Sequence, residues 1–272
     1  MDLVRELAGI YEYEILEMDL CKIDSLISIL FPLMEPWYLH YRILRNRLRK
    51  IAAFDAFASS FLYIDIDCAI LRSFDDLFTA IDDEHIDIVA IQRIHQKHLD
   101  KVFRSCVVKF DWYSQVPLVP TSFFISKNGV LSVDDICLTI DKFREEYINA
   151  RFESIIDQPL LNFVWAKLGL HVSTLDECGV FAKSLHLGFE DAPPRNLNEI
   201  FSSARDQHLF MVHWPGHSKE KKDFLLKEVW DYYFVRGIQR IQAKKGLAER
   251  IKSCNYQGIL SELNRINGFD QK

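Results

Sequence analysis

Short apolar segments alternate with amphipathic segments along most of this 272-residue chain. Five of the apolar segments have the length of strands, and the segments between them have the spacing of helices. The strand candidates are residues 11–18, 61–67, 86–91, 121–126 and 209–213. The helix candidates are residues 2–10, 24–31, 38–57, 73–81, 132–150, 157–168 and 224–252. This alternation predicts an α/β domain at 1–222, with an open, mostly parallel sheet flanked by helices, and a helical tail at 223–272.

Polar side chains stand where two of the predicted strands end. Asp65 and Asp67 follow the apolar run Phe-Leu-Tyr-Ile, and His213 closes the last strand. Ligands of open α/β sheets bind outside the carboxyl ends of the strands. Two acids that are two residues apart face the same side of a strand, and hard oxygen donors suit Mg²⁺ or Mn²⁺. The alternative is a solvated strand end, or a cap for the helix that begins near Ser73.

Three segments of the chain resemble glycosyltransferase family 8, a group that includes glycogenin-like enzymes and bacterial lipopolysaccharide galactosyl- and glucosyltransferases. Residues 61–78 resemble its D-x-D segment, 157–162 its D-Q-x-x-x-N segment, and 213–219 its H-x-x-G-x-x-K segment. The resemblance implies the GT-A fold for residues 1–222. It also implies transfer of a hexose from a nucleotide-diphosphate sugar, with UDP favoured, to an acceptor hydroxyl with retained configuration.

The resemblance assigns a metal and its neighbours to particular residues. Asp65, Asp67 and His213 would hold Mn²⁺ (or Mg²⁺), and an imidazole among the ligands favours Mn²⁺. Gly216 would let the backbone approach the diphosphate closely, since glycine has no Cβ. Lys219 would place its ammonium on the same phosphates. The alternatives are a strand-end histidine with an ordinary partner and a solvated lysine.

Further residues would surround the donor sugar. Arg49, with Arg45 and Arg47 as competitors, stands where the family has an arginine that contacts the donor. Asp157 and Gln158 would lie near the anomeric carbon, although Asp157 is also a sensible helix N-cap. Thr121 and Ser122 complete the predicted donor contacts. These two residues replace the family's usual Asn-Ala/Ser-Gly turn, a departure that leaves the donor sugar open.

A second departure concerns the first strand of the fold. The D-x-D motif comes only 65 residues into the chain. A βαβ unit takes roughly 30 residues, and the expectation is that the first such unit, with its nucleotide-base pocket, is missing. Two alternatives to a transferase follow. One is a haloacid-dehalogenase-type phosphatase, which shares the apolar-strand-DxD pattern but wants Thr or Val where Ala69 stands. The other is a glycosyltransferase-like protein that binds nucleotide sugars without turnover.

Composition and charge limit the classes of partner that we expect for this protein. The net charge of −6 and the pI near 5.9 argue against nucleic acid. Six scattered cysteines with no CxxC pair favour a reducing compartment, and no apolar run reaches the roughly 18 residues of a membrane span. We therefore expect a cytoplasmic protein with a nucleotide-sugar donor and a glycan, lipid-linked or protein acceptor. The basic helix at 224–252 could touch an anionic membrane surface, or pack on the domain or in a homodimer.

Overall fold

The computed structural model describes residues 20–34, 47–55, 59–73, 75–94, 118–150, 157–186, 196–206, 209–214 and 226–243. These residues form a mixed α/β structure. Its helices are α1 (Cys21–Met34), α2 (Val133–Ala150), α3 (Asp157–Lys167), α4 (Leu197–Asp206) and α5 (Lys227–Ala243), with 3₁₀ helices at Arg49–Asp55 and Asp75–Ile81. Its strands are β1 (Ser60–Ile64), β2 (Cys68–Ile70), β3 (Ile88–Ala90), β4 (Phe123–Lys127), β5 (Val172–Thr174), β6 (Lys183–His186) and β7 (Leu209–His213).

The strands form two sheets, in the orders β1-β4-β3-β5 and β2-β7-β6. Strand β4 runs antiparallel to both of its neighbours, and β2 runs antiparallel to β7. Among the strands that the structure describes, only β3 with β5 and β6 with β7 are parallel. The prediction of a mostly parallel sheet is therefore wrong for the described strands. The prediction failed because β4 is a central strand that is apolar on both faces. A buried parallel strand shows the same residue pattern.

Strand β4 separates two hydrophobic cores. On one face, Phe124 stacks on Phe54 and Tyr63 and makes a T-shaped contact with Trp165 of α3. On the other face, Phe123 packs edge-on against Phe210 of β7. Adjacent residues of a strand point to opposite faces, so one Phe-Phe pair anchors both cores. Burial of each ring contributes about 1.5–3 kcal/mol, and this fixes the chain just before β4, where the candidate site residues Thr121 and Ser122 lie.

The described part of the C-terminal helix packs on the second sheet. Leu226 and Val229 share a third core with Ala69 of β2, Val212 of β7 and the indole of Trp214. The first turns of α5 thus lie against the same sheet that carries His213. No helix within the described ranges is long and apolar enough to cross a membrane.

Four strand predictions are confirmed within a few residues, at β1, β3, β4 and β7, as are the helices at α1, α2 and α3. The described parts of two other predicted helices, 38–57 and 73–81, are largely the 3₁₀ segments. Strands β2, β5 and β6 and helix α4 were not predicted. The helix expected at 2–10 and the strand expected at 11–18 lie outside the described residues.

Candidate functional site

The acidic pair lies where the chain crosses from the first sheet to the second. The backbone N–H of Asp65 donates to the carbonyl of Ser122 at 2.8 Å, which continues the pairing of β1 with β4. The carbonyl of Asp67 accepts from the N–H of Trp214 at 3.0 Å, which continues the pairing of β2 with β7. Each acid is therefore held by a different sheet. Between them, the side chain of Ile66 is 94% exposed.

His213 brings its imidazole to both acids. Its Nε2 atom is 3.2 Å from Oδ1 of Asp67 and 4.0 Å from Oδ2 of Asp65. The histidine is buried, whereas each acidic side chain keeps about a quarter of its surface exposed. Residue 213 ends β7 and its Cα pairs with that of Cys68 in β2. Residues nearly 150 positions apart thus converge at one solvent-accessible point.

A buried lysine that was not predicted as a site residue links the acidic pair to α3. Nζ of Lys50 lies 2.8 Å from Oδ2 of Asp157 and 3.2 Å from Oδ1 of Asp65. It also donates to the carbonyl of Thr121 at 3.0 Å and lies 5.0 Å from the ring centroid of Tyr63. Its side chain is only 3% exposed. One ammonium therefore holds together three segments of the site.

The charges of this group are mutually stabilised. Burial alone lowers the pKa of Lys50, but the carboxylates of Asp157 and Asp65 outweigh it, so the pKa lies above its usual value. Burial alone raises the pKa of Asp157, but the ammonium of Lys50, with a contribution from Arg47, brings that pKa below the ordinary carboxyl value. Both groups are charged at neutral pH, so the site contains a buried ion pair.

Tyr63 orients the first acid of the pair. Its hydroxyl donates a hydrogen bond of 2.7 Å to Oδ1 of Asp65. Burial and the neighbouring carboxylate both raise the pKa of Tyr63, so the phenol remains protonated and remains a donor. Oδ1 of Asp65 therefore accepts from both Tyr63 and Lys50, while Oδ2 faces His213.

Helix α3 fixes the loop that leads into β4. The side-chain amide of Asn162 donates to the carbonyl of Val119 at 3.0 Å and its oxygen accepts from the N–H of the same residue at 3.0 Å. It also donates to the carbonyl of Gln158 at 2.8 Å. Oδ2 of Asp157 accepts from the hydroxyl of Thr121 at 3.2 Å. The segment 157–162 thus acts as a clamp on 119–122, and Asp157 reaches into the site from the start of the helix.

The other residues that were predicted to contact the donor are not all placed at the acidic pair. Among the described residues, it is Lys50 that bridges Asp65 and Asp157, one position after the predicted donor contact Arg49. The Nε atom of Arg49 and the hydroxyl of Ser122 are buried without a hydrogen-bond partner in the described part of the chain. Gly216 and Lys219 lie outside the described residues, so their roles stay predictions.

One sequence signal for Lys50 was present. The lysine interrupts a buried apolar segment, because Leu48 directly precedes the 3₁₀ helix and Ile51 and Phe54 lie within it. A lysine with such neighbours either extends its ammonium to the surface or finds buried anionic partners. Its two carboxylate partners are 15 and 107 residues away, so only the fold reveals which applies.

No protein-family model matches the chain, and no curated protein matches it. A functional assignment therefore depends on the residues of the site and on their geometry.

Proposed function

We propose that this protein is a glycosyltransferase of the GT-A type. In this proposal it moves a hexose from a nucleotide-diphosphate sugar, preferably a UDP-sugar, to an acceptor hydroxyl, with Mn²⁺ or Mg²⁺ as cofactor. The observation that carries the proposal is the convergence of Asp65, Asp67, His213 and Asp157. These residues belong to the three segments that resemble glycosyltransferase family 8, and they come from the β1–β2 crossing, the end of β7 and the start of α3.

The donor atoms fit a divalent cation. Two carboxylates and one imidazole offer the oxygen and nitrogen ligands that Mn²⁺ accepts. The separation of 3.2 Å between Nε2 of His213 and Oδ1 of Asp67 is close to the spacing of two ligands on one metal ion. The acids are about a quarter exposed, so a cation and a diphosphate have access. A metal held there would supply Lewis-acid stabilisation of the departing nucleoside diphosphate.

The protein's own groups prepare the sugar side of the site. Lys50 keeps Asp157 ionised in a buried position, because its ammonium offsets the desolvation of the carboxylate. An ionised carboxylate accepts strong hydrogen bonds from sugar hydroxyls. The hydroxyl of Thr121 and the clamp by Asn162 hold the loop against α3, so Asp157 has a fixed position relative to Asp65. Lys50 is a positioning residue in this scheme.

Release of nucleoside diphosphate tests the proposal. The protein is incubated with Mn²⁺ and a panel of nucleotide sugars, first with water as acceptor and then with simple glycosides. We expect release from at least one donor, and loss of that release in Asp65→Asn and in Asp67→Asn. Asp134→Asn is the matched control, because Asp134 is an exposed acid on α2; it should keep the wild-type rate.

Two other outcomes would contradict the transferase proposal. Hydrolysis of a generic phosphomonoester that depends on Asp65 would favour the phosphatase alternative. Metal-dependent binding of a nucleotide sugar with no release from any donor would favour a binding protein. Circular dichroism of each variant separates loss of activity from loss of fold.

A further inference from the structure

Cys68 lies beside the proposed metal site and takes no part in the proposed transfer. Its Cα pairs with that of His213 across the β2–β7 ladder. Residues directly opposite each other in a ladder project their side chains to the same face, with Cβ atoms about 4.5–5.5 Å apart. The Sγ atom of Cys68, a carboxylate oxygen of Asp67 and a ring nitrogen of His213 all lie within 4.8 Å of one another. A thiol, a carboxylate and an imidazole therefore converge at this point.

The spacing of these atoms suits a tetrahedral ion after small adjustments. Zinc–nitrogen and zinc–oxygen bonds of about 2.0–2.1 Å at a tetrahedral angle place the two ligand atoms about 3.3 Å apart. The observed separation of Nε2 of His213 from Oδ1 of Asp67 is 3.2 Å. A zinc–sulfur bond of about 2.3 Å requires a sulfur-to-nitrogen separation of about 3.6 Å. Because the sulfur-to-nitrogen distance is at most 4.8 Å, Cys68 reaches the required separation by a side-chain shift of at most about 1.2 Å.

The chemistry of the ligands selects the metal. Carboxylate and imidazole alone accept Mn²⁺ as well as Zn²⁺, but a thiolate strongly favours the softer ion. Three protein ligands with a fourth position open to water is also a common zinc arrangement. Coordination would release the thiol proton to solvent, since the thiolate is the ligand.

We propose that Asp67, Cys68 and His213 form a binding site for Zn²⁺. Because Asp67 and His213 also belong to the proposed Mn²⁺ site, the two ions exclude each other. Zn²⁺ uses Cys68 and Mn²⁺ uses Asp65 as the third ligand. Zinc then acts as an inhibitor that competes with the hard cation. The zinc site itself does not depend on the transfer activity.

Cobalt substitution tests this site without any activity measurement. Co²⁺ added to the purified protein should produce a thiolate-to-cobalt charge-transfer absorption in the near ultraviolet, and Zn²⁺ should abolish it. The absorption should disappear in Cys68→Ala and in Cys68→Ser, the second of which keeps a side chain of similar size. Cys137→Ser, in α2 and remote from the site in sequence and core, is the matched control and should keep the absorption.

Affinities measured against a chromophoric chelator give the magnitude. Removal of a partner outside the metal's own ligands lowers affinity about 10–100-fold, so loss of the Cys68 thiol should lower Zn²⁺ affinity more than about 100-fold. Asp65→Asn should keep the Zn²⁺ affinity within a few-fold and lose Mn²⁺ binding, measured by electron paramagnetic resonance. Cys68→Ala should instead lose Zn²⁺ affinity and keep Mn²⁺ binding.

Two results would overturn the zinc site: a cobalt–thiolate absorption that persists in both Cys68 variants, or an unchanged zinc affinity. These results are distinguishable from failure of the proposed function. A protein that binds Zn²⁺ through Cys68 but releases no nucleoside diphosphate would keep the zinc site and refute the transferase. A protein that transfers sugar but lacks the cobalt absorption would support the transferase and refute the zinc site.

Discussion

Replacing Lys50 by methionine removes the cation at the centre of the site and keeps most of the side chain's length. The ammonium has three acceptors: Asp157 at 2.8 Å, the Thr121 carbonyl at 3.0 Å and Asp65 at 3.2 Å. Asp65 is a quarter exposed and can recruit water in the variant. Asp157 is only 7% exposed, so its carboxylate loses its main partner inside the protein. The variant should therefore be strongly destabilised.

The size of the loss follows from the options left to Asp157. Leaving one partner of a buried ion pair alone typically costs about 3–5 kcal/mol. Protonation of Asp157 sets an upper limit on this penalty. The ordinary pKa of the carboxyl is 3.8, roughly 3.2 units below pH 7. Protonating it at pH 7 therefore costs about 4.4 kcal/mol, at 1.36 kcal/mol per unit. We expect a loss of about 3–4 kcal/mol at pH 7.

The same argument fixes the sign of the pH dependence. In the wild type, the lowered pKa of Asp157 means that its contribution is present above pH 3.8 and is lost only as the pH falls through its lower folded pKa. The raised pKa of Lys50 means that its contribution is full below pH 10.5 and is lost only at still higher pH. In Lys50→Met, the folded pKa of Asp157 should lie above 3.8 instead. Once the pH is below that raised folded pKa, the deficit should therefore shrink by up to about 1.36 kcal/mol per pH unit as the pH falls towards 4.

Urea unfolding followed by tryptophan fluorescence measures these differences, with the buried indoles of Trp165 and Trp214 as reporters. Lys50→Met combined with Asp157→Asn should recover at least half of the loss, because no buried charge remains. Lys22→Met is the matched control, since Lys22 pairs with Asp134 in solvent, and it should leave the unfolding midpoint unchanged. A Lys50→Met variant no less stable than Lys22→Met would refute the reasoning.

Three further substitutions probe the surroundings of the site. Tyr63→Phe removes the hydroxyl that donates to Asp65, so urea unfolding should show a loss of about 1.5–3 kcal/mol; no loss would exclude the bond. Asn162→Ala leaves the N–H and C=O of Val119 without their side-chain partner. Its thermal unfolding should report a loss of about 2–4 kcal/mol, and an unchanged melting temperature would contradict the clamp. Ile66→Ser should leave stability unchanged because the side chain is exposed, but should raise KM for the donor if the ligand covers it, so an unchanged KM argues against contact.

The strand ends of the site could be predicted because they follow from local pattern. Four apolar residues before Asp65 predicted a strand, and β1 ends at Ile64. The run 209–213 predicted a strand ending in histidine, and β7 has those bounds. Asp65 directly follows a half-buried strand and stays partly exposed, whereas His213 closes a buried strand and is itself buried beside the two acids.

Strand direction and short strands could not be predicted in the same way. Burial on both faces gives β4 a continuous apolar pattern whether its neighbours run parallel or antiparallel. Strands β2 and β5 have only three residues each, too few for a periodicity to appear, whereas the equally short β3 lies within the longer predicted segment 86–91. Their positions depend on the strands beside them: β2 exists because β7 offers it a ladder from Cys68 to Ile70.

Lys50 shows why the electrostatic centre of the site was missed. In the sequence it closes a run of basic residues, which is typical of a solvated helix face. The surrounding fold decides otherwise, because Asp157 and the Thr121 carbonyl come from segments 71 to 107 residues away. A pattern along the chain reports which residues are buried, whereas charge pairing across the fold requires the three-dimensional arrangement.

The two oxygens of Asp65 have different surroundings, and this difference constrains any metal at the site. Oδ1 accepts from Tyr63 and lies against Lys50, so the protein occupies it. Oδ2 faces His213 at 4.0 Å and is the oxygen left for a cation. Asp65 should therefore bind a metal through one oxygen, with its plane held by Tyr63 and Lys50. Because Lys50 also pairs with Asp157, the lysine couples the orientation of the proposed metal ligand Asp65 to the carboxylate that we propose for the sugar side.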